Sequence, residues 1–212
     1  MANPVQVGTK ASSTTGTAAA TLPSNSTAGN LLVAMVACDT AGFSQTAPTN
    51  WLQASISSFN RNVVIFYYPN TVGGQSSFSF VTSSGGGIVA EVMELGPGDL
   101  DVKANGAASN GATATATVGS ALAGGFAVAL FAKGAAGETF TVPGAWTSAL
   151  NLNASPLAAS SAEGDYNASP GSGTVSELQT SSGTTTSWDW VIAVFKPTAI
   201  AMPQIAHGFG PN

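Results

Sequence analysis

Charge is what this sequence has least of. Asp, Glu, Lys and Arg make up 7% of its 212 residues, where an ordinary globular domain carries about 25%. The five cations, Lys10, Arg61, Lys103, Lys133 and Lys196, are scattered, and the net charge is −5. Binding a phosphate backbone needs clustered Lys and Arg, so nucleic acid is not an expected partner. The single cysteine, Cys38, lies in an apolar run. It excludes an intrachain disulfide framework and reads as a buried small hydrophobe. One histidine, His207, and one cysteine are too few for a His/Cys zinc site. A Ser-His-Asp or Cys-His site would have to be built around a residue in an irregular tail. The longest apolar runs, NLLVAMVAC and WVIAVF, fall far short of the ~20 residues a membrane helix needs, so no membrane partner is expected. The opening MANPVQVGTK has no basic patch followed by an apolar core, and no secretory signal is expected from it.

Gly, Ala, Ser and Thr fill the space that charge leaves. Strand candidates recur every 8–15 residues between Gly, Ser, Asn and Pro clusters, the spacing of a sandwich or barrel. They lie near 4–8, 15–21, 30–38, 51–57, 61–68, 76–82, 87–95, 100–105, 112–118, 125–133, 146–152, 157–162, 173–179 and 187–196. No window shows sustained 3.6-residue apolar periodicity, and the Gly and β-branched content opposes long helices.

The chain also repeats itself. Residues 28–51 and 123–146 agree at ten of 24 ungapped positions, among them Pro48/Pro143 and Trp51/Trp146, where chance gives roughly one in ten. TSSGGGIVAEVMEL at 82–95 answers TSSGTTTSWDWVIAVF at 180–195. The expected fold is therefore all-β, an antiparallel β-sandwich of two similar halves, 29–99 and 123–196, within one domain over 29–197. Each half alone is too small to bury enough surface. Residues 1–28 read as an N-terminal arm with the first strands, and 198–212 as a proline-rich C-terminal arm.

A period of two assigns faces. In 30–38 and 63–68 alternation fails, because both faces are apolar. Such a strand is either central and covered by the chain itself or part of an interface. For the second case Leu32, Val36, Val64, Phe66 and Tyr68 are the candidate subunit or partner contacts. Where the second copy has Ala127 and Lys133, the first has Leu32 and Cys38, a greasier face. Trp51 and Trp146, at equivalent repeat positions, are expected to pack sheet corners rather than to stack on a sugar.

Carboxylate chemistry needs acids converging on one face. Glu91 and Glu94, three apart on a strand, point to opposite faces. Asp99 and Asp101 in GPGDLD share a face and are a weak Ca²⁺ candidate, though GD at a turn is ordinary turn chemistry. Glu163 and Asp165 in AEGDYNASPGSG carry the same ambiguity. The glycine runs at 83–87 and 123–125 lack the Lys-Ser/Thr of a phosphate loop. No catalytic residue, cofactor or metal is expected.

GNLLVA, the Pro-x-x-Trp turn, the strand ending in Tyr67-Tyr68, VAEVMELGPGDLDVKANGAASN and the closing WDWVIAVFKP together resemble a jelly-roll-like β-sandwich domain of phage virion proteins and bacterial surface proteins. The resemblance spans roughly residues 5–197. It implies a non-enzymatic structural protein, most like a capsid decoration protein, made in the host cytoplasm and located in the virion. Its implied partners are the major capsid protein or other virion proteins, and its implied state a homo-oligomer, with a trimer favoured. The alternative is a tail-fibre or tail-tip protein that binds a receptor or glycan.

Overall fold

Both apolar-faced stretches form strands and both lie in the interior. The computed structural model describes residues 3–39, 45–59, 61–83, 85–152, 157 and 160–198. His207 and all of the expected C-terminal arm but residue 198 lie outside them. Along the chain run β1 (Gln6–Val7), β2 (Ala11–Ser13), β3 (Thr17–Thr21), β4 (Leu31–Cys38), β5 (Gln45–Thr46), β6 (Leu52–Ser57), β7 (Asn62–Tyr68), β8 (Ser77–Thr82) and β9 (Ile88–Leu95). They continue with β10 (Gly98–Ala108), β11 (Thr113–Ala121), β12 (Phe126–Lys133), β13 (Phe140–Thr141), β14 (Thr147–Leu152), β15 (Ser161–Asn167), β16 (Gly173–Ser181) and β17 (Trp188–Pro197). The described residues contain no helix.

The strands form four antiparallel sheets. A first inner sheet has the order β1-β9-β4-β7-β6, with β2 continuing along the β9 edge, and a second inner sheet has the order β10-β17-β12-β15-β14. The outer sheets are β3-β8-β5 and β11-β16-β13. The two strand sets, β1–β9 and β10–β17, thus follow matching orders, with β10 standing where β1 and β2 stand. The first strands expected within the N-terminal stretch near 4–8 and 15–21 form as β1 and β3, and with β2 they pair into the sheets, β1 and β2 to β9 and β3 to β8.

Packing stacks the sheets as outer, inner, inner, outer. Leu31, Val33, Met35, Val63 and Ile65 of the first inner sheet meet Phe126, Val128, Leu130, Val191 and Phe195 of the second in one central core. The opposite face of the first inner sheet, with Leu32, Ala34, Val36, Val64, Phe66 and Tyr68, is covered by Ala18, Ala20, Phe78 and Phe80 of its outer sheet. Ala127, Ala129, Phe131, Ile192 and Val194 are covered likewise by Ala114, Ala116 and Val175. Sheets buried on both faces read as unbroken apolar runs, which explains LLVAMVAC and NVVIFYY. Gly164 sets the approach of the inner sheets: a Cβ there would stand 2.6 Å from Met35 Sδ and 3.2 Å from Leu150 Cβ.

Candidate functional site

The expected interface residues are accounted for within the chain. Leu32, Val36 and Val64 are fully buried, and Phe66 and Tyr68 are 5% and 9% exposed. Phe66 stacks on Phe80 with ring centroids 6.0 Å apart. The interface reading is corrected here: a partner reaching these side chains would first have to displace the first outer sheet. The same holds for the contrast between copies, since Leu32 and Cys38 are both buried. Lys133, read as part of a more polar face, is buried and held by Glu138 at 3.0 Å and Ser181 Oγ at 2.7 Å. Its ammonium lies 5.0 Å from the Trp188 ring centre, a position that the ring's negative face favours.

Trp51 and Trp146 end matching Pro-x-x-Trp turns. The Trp51 amide donates to the Pro48 carbonyl at 3.2 Å, and the Trp146 amide donates to the Pro143 carbonyl at 2.8 Å. Trp51 then packs edge-on against Phe78 and Phe80, and Trp146 joins the core beneath the second outer sheet.

Glu91 and Glu94 face opposite sides, as their spacing requires. Glu91 points toward the central core side of β9, where burial pushes its carboxyl up to about 8 against a lowering contribution from Lys10. Glu94 accepts hydrogen bonds from Gln6 Nε2, the Thr27 amide at 2.8 Å and Asn30 Nδ2 at 2.6 Å. Burial alone would raise its pKa, but these bonds outweigh it and hold the carboxyl below its ordinary value. Asp99 and Asp101 do not act together. Asp99 accepts from its neighbour's amide, Leu100 N, at 2.7 Å. Asp101, beside a register shift in β10, accepts from Leu122 N at 2.8 Å and lies 3.7 Å from Lys196.

Among the described residues, unusual chemistry concentrates where two of the ambiguous acids meet a third. Glu163 and Asp165 alternate with Gly164 on β15, so both point away from the central core and under the second outer sheet. From that sheet, Glu177 and Gln179 point inward in the alternating burial pattern of β16. All four side chains are buried. Gln179 Nε2 donates to Asp165 Oδ2 at 2.8 Å, and the Ser148 hydroxyl donates to Glu163 Oε1. While ionised, Glu163 Oε2, Asp165 Oδ1 and both Glu177 oxygens have no donor, but Asp165 and Glu177 are close enough to hydrogen-bond to each other once one of them holds a proton. Burial, then the nearby Asp165 charge, pushes Glu163 up to about 8. Burial, with Asp165 and Glu163 close by, pushes Glu177 up to about 11. Asp165 is raised as well, chiefly by burial.

Strand register identifies what fills the same layer in the first strand set. Glu163 and Asp165 pair with Phe131 and Ala129 of β12, as Val64 and Phe66 pair with Val36 and Ala34 of β4. Ser181 pairs with Phe140 of β13, as Thr82 pairs with Gln45 of β5. Counting back along each strand sets Gln179 and Glu177 against Phe80 and Phe78. An aromatic layer on one side is thus a carboxyl layer on the other. The signal was present as two period-two patterns, E-G-D and E-L-Q, but the glycine and the acids made 163–165 read as a turn.

Chemically, these carboxyls can share and store protons. No three Asp, Glu, His or Cys side chains among the described residues are disposed to hold a metal ion. No described helix is long and apolar enough to cross a membrane. No family model, curated protein or solved structure matches the chain.

Proposed function

We propose that this protein is a non-enzymatic structural component of a phage particle that binds the outside of the assembled capsid as a homo-oligomer, most simply a trimer. One observation carries the reading. Both outer sheets turn outward an uncharged face of mainly small side chains with one larger apolar one each: Thr17, Ala19, Thr21, Ser77, Ser79 and Val81 on one, and Thr113, Thr115, Thr117, Ser176 and Leu178 on the other. Such faces suit close packing on a lattice without ion pairs, and they offer substrate nothing to react with. Two of the acids weighed for chemistry support the reading too, being spent on internal contacts: Glu94 on Gln6, the Thr27 amide and Asn30, and Asp101 on the Leu122 amide and Lys196. A protein that binds only the assembled shell stabilises it by mass action.

The jelly-roll-like reading of the β-sandwich belongs to the same proposal. The test is to add the purified chain to capsids that lack it and to image them. Density on the outer lattice, with a trimer mass in solution, is the expected result. Density confined to the tail would overturn the capsid assignment in favour of receptor binding. A bare lattice and bare tail would overturn the virion assignment altogether.

A further inference from the structure

The carboxyl layer under the second outer sheet lacks the contacts that seal its counterpart. Under the first outer sheet, Phe78 and Phe80 rest on Phe66, Val64 and Trp51. Under the second, β16 offers Glu177 and Gln179 to Glu163 and Asp165, and the Glu177 carboxyl, 1% exposed, aims both oxygens into that layer with no donor. Buried carboxylates so placed repel one another, whereas a protonated one becomes a donor to its neighbour.

We propose that the second outer sheet is a proton-held cover. Shared protons among Glu163, Asp165 and Glu177 keep β16 seated on β15, and their loss loosens β11, β13 and β16 while the first outer sheet stays closed.

The surroundings leave the protons little competition. β14 faces the layer with Ser148 and Asn151, which favour ionised Glu163 without offsetting its burial, β12 with Ala129 and Phe131, β17 with Ile192 and Val194, and β11 with Ala114 and Ala116. The nearest cation in the layer, Lys133 on β12, is committed to Glu138, Ser181 and the Gly183 carbonyl. The raised values of Glu163 and Glu177 have the sign the proposal needs. The folded state holds protons that the unfolded chain releases near the ordinary 4.5, so this layer is most stable in acid and weakens as pH rises.

Amide hydrogen exchange on the full chain between about pH 5 and about pH 9, corrected for intrinsic rates, tests this. Protection in β11, β13 and β16 is expected to fall about tenfold or more relative to β3, β5 and β8. Glu177→Gln, a neutral isostere, is expected to flatten that loss. If that variant does not fold, Glu163→Gln serves the same purpose. Equal loss from both outer sheets, or an undiminished pH response in the folded variant, would overturn the proposal. So would protection restored at high pH by millimolar Ca²⁺, which would make the layer a cation site.

Discussion

At the scale of single residues, buried carboxyls behave according to their donors. Glu94 has three donor groups and Glu177 has none, so burial raises one and fails to raise the other. Replacing Glu94 by Gln keeps the shape but turns one acceptor oxygen into a donor facing donors. The expected cost at neutral pH is about 1–3 kcal/mol, read from urea midpoints. The sign follows from its lowered pKa. The stabilisation is present above the unfolded value and is lost as pH falls through the folded one, so the gap between variant and parent should narrow in acid. Gly164 is constrained by space instead. Gly164→Ala places a methyl group 2.6 Å from Met35 Sδ, and the expected loss is about 1–3 kcal/mol in the same measurement. The opposition of Glu91 and Glu94 was legible from a spacing of three. The meeting of Glu163 with Glu177 was not, because it depends on which strands of different sheets lie face to face.

At the scale of elements, the apolar strands were legible and their neighbours were not. Runs such as LLVAMVAC and FAVALFAK announce strands by β-branched and aromatic content, and β4 and β12 form there. The strand expected at 157–162, part of which lies outside the described residues, overlaps only the start of β15 at Ser161–Asn167, where a glycine between two acids mimics turn composition. Nor does the sequence reveal how the long edge strand β10 is tied to the other inner sheet. Ser55 Oγ donates to the Ala104 carbonyl at 2.8 Å. Ser57 Oγ lies 2.9 Å from the Gly106 carbonyl and 2.7 Å from Asp189 Oδ1, sharing one proton between them. Asp189 also accepts the Phe59 and Arg61 amides at 2.9 and 2.7 Å, so it fixes the turn between β6 and β7. Ser57→Ala is expected to cost about 1–3 kcal/mol and to raise exchange at the Phe59 and Arg61 amides selectively. Uniform loss of protection across the molecule would argue against this local role.

At the scale of the whole molecule, one central core belongs to both strand sets. Leu31, Met35 and Ile65 belong to the same core cluster as Phe126, Leu130 and Phe195, so neither set can lose its inner face without uncovering the other's. A single calorimetric transition is expected, with van't Hoff and calorimetric enthalpies equal. Two resolved transitions would mean that the strand sets fold separately. The internal repeat led to the expectation of two similar halves in one domain, and what the structure shows is two strand sets in matching order. The repeat did not foretell that each widest sheet is roofed by a second, smaller one, which is why residues given to a partner serve the chain itself: β3 and β8 cover them.

The unequal filling of the outer layers is also a matter of symmetry. Two identical chains packed through the same inner sheets would carry every side chain twice, and carboxyls on one side would be matched by carboxyls on the other. Joined in one chain, the two sets draw on separate stretches of sequence. Phe78 and Phe80 close one end while Glu177 and Gln179 line the other. A stack almost palindromic in strand order therefore has a top and a bottom that differ in kind, and whatever it lies against meets a molecule with a direction.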